Sequence, residues 1–434
     1  MPSLTKQLLA ILFLESLAFG VAFLSTKLPS SRDSTLARKS ANSVLQSYCR
    51  LKSWPSSNNN RRSGRRAQLT TRAFQVSEVV AKPPEVDMTF RPRVDRIVAL
   101  GDVHGDLFAL DTALMMSELM DEDGRWVGGK AVLVQMGDIL DRGPDECECL
   151  QRLLSLQAQA RAARGDVVML LGNHEIMNAD LDFRYVDPLG WTGWDYDESE
   201  QTDLLRRLAK RPRAGPVEGY MLPRIQAMER GRGAMAEVLS KMPVAVTIGE
   251  TVFTHGGLVP EVVSYGLRRL NEETAEWLRG ERAAKPWVLD NCRARGVAPE
   301  AEVSPLWHRA VGKEDVCWDA LAEVDAAMRL LGAKRLVVGH TPQAGGVNCV
   351  QTQEGREVWR VDTGMSEGIL GGHVETLEIA KGKKGKESVH VVHMDGVSAA
   401  HARVSRRAEN PTWKKELHAP VLEGDLRMPV LTMP

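Results

Sequence analysis

The sequence predicts an α/β fold in which two sheets pack together, helices flank them and one further helical segment is inserted. Five short apolar runs rich in β-branched residues each end at a turn, as strands that feed loops do. Four more strand-like segments follow His340. With 434 residues and 43% hydrophobic content the chain can bury a sizeable core, so one domain with additional ends is favoured over two equal domains.

The five runs are followed by turns that contain glycine next to polar residues. In chain order the runs are RIVAL, AVLVQM, VVMLL, TVF and RLVV, and the segments that follow them are GDVHGD from Gly101, GDILDRG from Gly137, GNHE from Gly172, THGG from Thr254 and VGHTP from Val338. Ligands of α/β folds bind at the carboxyl ends of strands, so residues far apart in sequence can meet in one crevice. Glycine lets the backbone turn sharply there and approach a bound ion.

The segments after His340 predict a second sheet packed against the first. They are GGVNCVQ, EVWRVDT, HVETLEI and SVHVVHM, and the Gly- and Lys-rich KGKKGKE at Lys381 is predicted to be a hairpin loop. Nearly eighty residues separate GNHE from THGG, which is longer than an ordinary connection. We therefore expect a helical insert at about residues 180–243 that forms a lid or a wall over the candidate site.

Six residues in these turns are candidate metal ligands: Asp102, His104, Asp138, Asn173, His255 and His340. All offer oxygen or imidazole nitrogen, a donor set that suits Mn, Fe or Zn, and a shared carboxylate can hold two ions roughly 3.5 to 4 Å apart. Two such ions clamp the attacking and leaving oxygens of an in-line displacement and make hydroxide available near neutral pH, which is the chemistry of phosphoester hydrolysis. Each motif alone is more often an ordinary turn, so the prediction depends on all five occurring in this order.

The five motifs in this order resemble those of the calcineurin-like metallophosphoesterases and, more narrowly, of the phosphoprotein phosphatases. The resemblance implies a first metal held by Asp102, His104 and Asp138 and a second held by Asp138, Asn173, His255 and His340, with Asp138 as the bridge. It also implies that His174 is the general acid and that Asp141 is its partner. A departing alkoxide needs a proton, and an imidazole oriented by a carboxylate can deliver one. Asp141 could instead cap the helix predicted from Asp145 to Ala163.

Three arginines are candidates for binding the phosphate group. The resemblance places Arg142 where a guanidinium engages two phosphate oxygens, although Arg142 could also be a solvated surface residue. Arg309 in LWHRA is a second candidate, and Arg184 in DFRYV is a less favoured third. The insert also contains Trp191, Trp194 and Tyr196, which could stack on a phosphotyrosyl ring, although packing of the insert on the core is the favoured interpretation.

Departures from the common serine/threonine pattern indicate a particular branch. Asp106 ends the first motif, GNHE continues as IMN, LWHRA replaces LWSDP, and VDTGMS stands at Val361 to Ser366. These features resemble the Shewanella-like protein phosphatases over about residues 93–395. The resemblance implies phosphoprotein substrates, with phosphotyrosine and phosphoserine or phosphothreonine both open, and two divalent ions, with manganese expected. A dinucleoside-polyphosphate hydrolase of the same fold and a non-catalytic phosphoprotein-binding scaffold remain alternatives.

Charge is distributed unevenly along the chain. Residues 1–77 contain twelve Lys and Arg but two acidic residues, which leaves 44 basic and 55 acidic residues for the remainder. This acidic balance disfavours a nucleic-acid partner. The six cysteines show no regular spacing, and no function is assigned to them.

The N-terminal composition is typical of targeting segments. Residues 1–24 resemble a secretory signal with an apolar run that is short for a membrane span and contains Glu15, so no stable span is expected in the mature chain. Residues 25–77, rich in Ser, Arg, Lys and Asn, resemble a transit peptide. Together they predict a bipartite leader and a plastid location, with mitochondrion and secretory pathway as alternatives. Residues 396–434 are expected to be a loosely ordered tail.

Overall fold

The structure is a computed structural model, and it describes residues 87–191, 193–210, 217–290, 302–382 and 387–393. The predicted signal segment (1–24), the transit-like segment (25–77) and the tail (396–434) lie outside the described residues. Among the residues described, no helix combines the length and hydrophobicity needed to cross a bilayer.

The strands of the described residues form two sheets. They are β1 (Phe90–Arg91), β2 (Arg96–Leu100), β3 (Val132–Gln135), β4 (Asp166–Met169), β5 (Ala245–Ile248), β6 (Thr251–Thr254), β7 (Arg335–Val338), β8 (Asn348–Gln351), β9 (Glu357–Arg360), β10 (Glu375–Lys381) and β11 (Glu387–His393). The first sheet has the order β11-β10-β2-β3-β4, and the second has the order β1-β5-β6-β7-β9-β8. The strands β2, β3 and β4 are mutually parallel, as are β6, β7 and β9.

Helices accompany both sheets in the described part of the chain. They are α1 (Leu107–Met116), α2 (Glu146–Ala162), α3 (Asn173–Ala179), α4 (Gln201–Leu208), α5 (Leu222–Met228), α6 (Ala234–Leu239), α7 (Pro260–Tyr265), α8 (Leu267–Leu278) and α9 (Trp318–Leu330). Three 3-10 turns accompany them at Glu198–Glu200, Gly219–Met221 and Trp287–Leu289. The predicted α/β fold with two sheets, flanking helices and a helical insert is confirmed, and α4, α5 and α6 are the insert's helices.

The strands that carry the motifs are buried on both faces. In β2, Ile97 and Ala99 point into the cluster between the sheets, whereas Val98 and Leu100 point into the cluster beneath the helices. Side chains alternate between the two faces of a strand, so a strand covered on both sides must be apolar throughout. This is why RIVAL and the other runs are continuous rather than alternating.

The expectation that all four segments after His340 form the second sheet is wrong for two of them. The strands β8 and β9 do join β7, but β10 pairs antiparallel with β2 and β11 pairs with β10, so this hairpin extends the first sheet. Between β9 and β10 the chain crosses from one sheet to the other, passing so close to Gly101 that a Cβ there would lie 2.3 Å from the carbonyl oxygen of Val361. The two hairpin strands pair in register from Lys381 opposite Glu387, and residues 383–386 of the predicted loop lie outside the described residues.

Candidate active site

Both sheets deliver predicted ligands to one place. Asp102, Asp138 and Asn173 follow the parallel strands β2, β3 and β4 of the first sheet, and His255 and His340 follow β6 and β7 of the second. His104, two residues after Asp102, joins them. The structure brings all six side chains together, and all six are buried. The carboxyl ends of these strands therefore meet at a single crevice.

At this crevice several residues other than glycine have positive φ angles, a conformation that L-residues rarely adopt. The φ angles are 45° at His104, 53° at Asp138, 69° at Asp141, 70° at Arg142 and 65° at His340. Each such conformation costs on the order of 1–3 kcal/mol and persists only where the surroundings enforce it. Strained backbone of this kind is concentrated at functional sites. Here these backbone conformations direct the candidate ligand side chains toward one another.

Four ligand atoms converge around His255. Its Nε2 lies 3.0 Å from Oδ1 of Asn173, 3.1 Å from Nδ1 of His340 and 3.2 Å from Oδ2 of Asp138. Its Nδ1 lies 2.8 Å from the carbonyl oxygen of Met136, which only accepts, so Nδ1 carries a hydrogen and Nε2 directs a lone pair at the other three atoms. A cation at this point would resolve the mutual repulsion of the lone pairs.

Charge leads to the same conclusion. Burial lowers the pKa of His255, but the carboxylate of Asp138 outweighs burial and raises it. The Asp138 carboxylate thus favours positive charge at this position, which a metal ion would also supply. Burial also raises the pKa of Asp102, and the carboxylates of Asp362 and Asp138 raise it further. Such a cluster of buried carboxylates, which raise one another's pKa, fits a divalent ion.

The candidate first metal site would share the Asp138 carboxylate. The Nδ1 of His104 lies 3.0 Å from the carbonyl oxygen of Leu140, which leaves its Nε2 facing Oδ2 of Asp138 at 3.7 Å. Burial lowers the pKa of His104 to about 4, so the ring is neutral near pH 7, as a metal-binding imidazole must be. Because the same Asp138 oxygen faces His104 and His255, it is placed to bridge two ions.

The predicted acid and its partner are in direct contact. The Nδ1 of His174 lies 2.6 Å from Oδ2 of Asp141, and its Nε2 lies 3.9 Å from Oδ2 of Asp138. Burial lowers the pKa of His174, but the two carboxylates raise it above its usual value. The alternative interpretation of Asp141 as a helix cap does not match the structure, because α2 begins after Asp145 and the Asp141 side chain faces His174.

Buried polar residues that the motifs did not predict hold this arrangement in place. Glu175 accepts the backbone N–H groups of Gly172, Asp138, Ile139 and Leu140 at 2.8 to 3.1 Å. Asn178 donates to Oδ1 of Asp141 at 3.0 Å and to the carbonyl oxygen of His174 at 2.9 Å. Both lie on α3 within five residues of His174, so their position in GNHEIMN was visible in the sequence, although their partners were not.

A third carboxylate near the ligands also escaped prediction. Asp362, in the VDTGMS segment, is buried, and burial raises its pKa to about 6. One of its oxygens accepts the N–H of Gly364 at 2.8 Å. The close approach of this segment to Gly101 brings Asp362 to the site.

The three candidate arginines occupy different positions. The Arg142 guanidinium lies 4.6 Å from the ring centroid of Tyr185, and its buried Nε has no hydrogen-bond partner among the described residues. Arg309 donates to the carbonyl oxygen of His340 at 2.7 Å. Arg184 is exposed and pairs with Asp182. Arg142 and Arg309 therefore border the crevice, whereas Arg184 lies on the surface.

The aromatic residues of the insert pack on one another. Trp191 makes edge contacts with Phe183 at 5.4 Å and Tyr220 at 5.5 Å, and Trp194 donates its ring N–H to the carbonyl oxygen of Gly190. Tyr196 packs against the insert's small apolar cluster. This geometry favours the packing interpretation. The aromatic ring beside the candidate acid is that of Tyr185, 5.2 Å from His174 and 38% exposed.

Comparison with known proteins agrees with this site. A family model described as calcineurin-like phosphoesterase matches residues 95–344. The Shewanella-like protein phosphatase 2 of Arabidopsis thaliana is 34% identical over 318 residues, which are 68% of this chain and 78% of the relative. Shewanella-like protein phosphatase 1 of Plasmodium berghei is 25% identical over 68% of this chain and 75% of its own.

A solved structure is similar to this chain in fold and in sequence. The cold-active protein-tyrosine phosphatase of a psychrophilic Shewanella species is 25% identical, with a TM-score of 0.51 over 72% of this chain and 82% of that chain. The metallophosphoesterase family uses a dinuclear metal centre, and the structure offers two groups of His and Asp residues that could hold metal ions. The chain therefore belongs to the calcineurin-like phosphoesterases, as a hydrolase of the Shewanella-like protein phosphatase branch.

Proposed function

We propose that this protein is a metal-dependent protein phosphatase that hydrolyses phosphomonoesters on tyrosine, serine or threonine side chains. The observation that carries the proposal is the shared environment of Asp138, whose Oδ2 faces His104, His255 and the candidate acid His174 within 3.9 Å. A bridging carboxylate and a proton donor at this spacing suit displacement at phosphorus.

The proposed dinuclear site takes its ligands from the six buried side chains at the crevice. Asp102, His104 and Asp138 would hold the first ion, and Asp138, Asn173, His255 and His340 would hold the second. When bound, the two ions supply Lewis-acid charge and lower the pKa of water at the site. We propose manganese as the native metal, with iron or zinc as alternatives, because all three suit carboxylate, amide oxygen and imidazole donors without any thiolate.

His174 would supply the proton for the departing oxygen. Its Nδ1 is engaged by Asp141, which fixes the ring and leaves Nε2 as the nitrogen that faces the metal site. As water oxygen bonds to phosphorus, the bond from phosphorus to the ester oxygen breaks, and the proton on Nε2 passes to that oxygen. The carboxylates of Asp138 and Asp141 outweigh burial and raise the pKa of His174, which favours the protonated ring that a general acid needs.

The residues at the rim would bind the phosphate and the side chain that carries it. Arg142 and Arg309 lie on the border of the crevice, where their charge would neutralise phosphate oxygens. Tyr185 stands beside both Arg142 and His174 and would form a wall for an aryl group. We therefore propose that phosphotyrosyl peptides are the better substrates.

The first test is hydrolysis by the full chain, stripped of metal and then supplied with Mn²⁺. The substrates are phosphotyrosyl, phosphoseryl and phosphothreonyl peptides beside diadenosine tetraphosphate. We expect metal-dependent phosphate release from the peptides, fastest from phosphotyrosine, and no release by Asp138→Asn, because loss of the bridging charge removes both metals. Cleavage of the dinucleotide alone would identify a dinucleoside-polyphosphate hydrolase, and no turnover despite two bound ions would identify a scaffold.

A further inference from the structure

The insert contributes a fully buried cation, Arg224, next to the pair formed by Asp141 and His174. Arg224, on α5, has no exposed side-chain surface. Its guanidinium makes five hydrogen bonds: Nε and Nη2 to Oδ1 of Asn178 at 3.0 and 2.7 Å, Nη1 to Oε2 of Glu146 at 2.5 Å, Nη1 to the carbonyl oxygen of Gly190 at 2.8 Å, and Nη2 to Oδ1 of Asp141 at 3.2 Å. A charged side chain is almost never fully buried unless it is paired in this way.

These bonds fix the geometry of Asp141 on the side away from His174. Arg224 and Asn178 both donate to Oδ1 of Asp141, which leaves Oδ2 for Nδ1 of His174. Glu146, the other carboxylate bound by Arg224, accepts the backbone N–H of Asp141 at 2.8 Å and so supports its unusual φ of 69°. The rigid, forked guanidinium therefore locks both the side chain and the backbone of Asp141.

Aromatic rings of the insert enclose this cation. The Arg224 guanidinium carbon lies 5.1 Å from the ring of Trp194, 5.7 Å from that of Phe183 and 6.0 Å from that of Trp191. Aromatic faces attract a cation and exclude water from its hydrogen bonds. Trp191 and Trp194, for which stacking on a substrate was the alternative to packing, thus lie against Arg224.

We propose that Arg224 is a positioning residue through which the insert, once docked, orients the Asp141–His174 pair for proton transfer. This inference rests on the proposed phosphatase function. The insert would then take part in catalysis, because a guanidinium on one of its helices completes the support of the candidate general acid. The described hydrogen bonds of the Arg224 guanidinium go to Asn178, Glu146, Gly190 and Asp141, so we expect its replacement to affect proton transfer more than metal or phosphate binding.

The test compares two esters that differ in their need for a proton. A phosphoseryl peptide releases an alkoxide that must be protonated, whereas p-nitrophenyl phosphate releases an anion that is stable without protonation. For Arg224→Lys, which keeps the charge but loses the fork, we expect kcat on the phosphoseryl peptide to fall about tenfold more than kcat on p-nitrophenyl phosphate. KM for both esters should change little.

Two further variants separate positioning from general damage. Arg207, also in the insert, binds Glu229 through two hydrogen bonds of 2.8 and 2.7 Å, so Arg207→Met perturbs the insert and should leave the ratio of the two kcat values unchanged. If Arg224 acts through Asp141, then adding Arg224→Lys to Asp141→Asn should not change that ratio further. Should Arg224→Lys fail to fold, Arg224→Met with Glu146→Gln removes one charge of each sign and serves instead.

The outcomes are distinct. Equal loss on both esters in the Arg224 variants, or the same change of ratio in Arg207→Met, would overturn the positioning role while leaving the phosphatase proposal intact. A metal-loaded wild-type chain that hydrolyses neither ester would overturn the proposed function and this inference with it. A selective loss on the phosphoseryl peptide that disappears in the Asp141→Asn background would establish the inference.

Discussion

The Glu175 carboxylate shows how a single residue can hold a strained loop. It accepts four backbone N–H groups, three of them from the segment Asp138 to Leu140 that carries the bridging ligand at φ 53°. A helix or strand would satisfy those donors with carbonyl groups, but the turn cannot. Buried donors that lose their acceptor cost free energy, so this carboxylate determines whether the loop keeps its form.

Replacing Glu175 by glutamine should destabilise the protein. The amide would present N–H groups to two of the four donors, so we expect Glu175→Gln to lower the free energy of unfolding by about 2–4 kcal/mol, measured by urea titration in chelator. Glu237→Gln is the control, because Glu237 is exposed and pairs with Lys241 on the surface, where a change below about 0.5 kcal/mol is expected. Equal midpoints for the two variants would show that the loop does not depend on Glu175.

The predictability of the site residues follows from the range of their contacts. That the six candidate ligands meet could be predicted because each stands close after a strand end. The partners of Glu175 lie up to 37 positions away in sequence, and Arg224 meets Asp141 across 83 positions. Short-range sequence patterns do not indicate such pairs, so the residues proposed to orient the candidate acid could be identified only from the fold.

At the scale of elements, local patterns predicted the type of each element, helix or strand, but not always which strands pair. The helix predicted from Asp145 to Ala163 is observed as α2, Glu146–Ala162, because burial of Cys149, Leu150 and Leu153 follows a helical repeat. The sequence predicts the hairpin of β10 and β11 in the second sheet, whereas the structure places it in the first. The pattern of buried residues along a strand indicates which face is covered, but it does not determine the neighbouring strand. In the structure β10 pairs with the edge of β2 that β3 does not occupy.

The insert is an element group with a small core of its own. Leu204, Leu208, Leu222 and Ile225 form a separate buried cluster. Leu204→Ala should open a cavity costing about 2–5 kcal/mol, and its effect should be confined to the insert. We expect faster hydrogen exchange in α4 and α5 with unchanged protection in β3.

The neighbouring leucine provides the matched control for that experiment. Leu205 is 40% exposed, so Leu205→Ala should leave exchange in α4 and α5 near the wild-type rates. Faster exchange in β3 for Leu204→Ala would contradict a separate insert core, because it would show that the insert and the sheets unfold together. Exchange rates in α5 matter in particular, since that helix carries Arg224.

At the scale of the whole molecule, the proposed second metal joins the two sheets. Asp138 and Asn173 follow strands of the first sheet, whereas His255 and His340 follow strands of the second. An ion bound by all four would link the sheets at their carboxyl ends, where buried polar groups replace the apolar packing found between the sheets farther along the strands. The stability of the sandwich should therefore depend on metal.

Metal removal should lower the thermal midpoint of unfolding. A ligand that binds the folded state alone, at about 100 times its Kd, adds about 2.7 kcal/mol per site, which corresponds to a shift of roughly 5 °C or more for a domain of this size. Calorimetry in chelator and then in rising Mn²⁺ measures the shift. The midpoint of Asp138→Asn should not rise with Mn²⁺, because its bridging charge is absent. Equal midpoints for the stripped and the metal-loaded wild type, with two ions per chain by elemental analysis, would show that the ions bind a site already rigid without them.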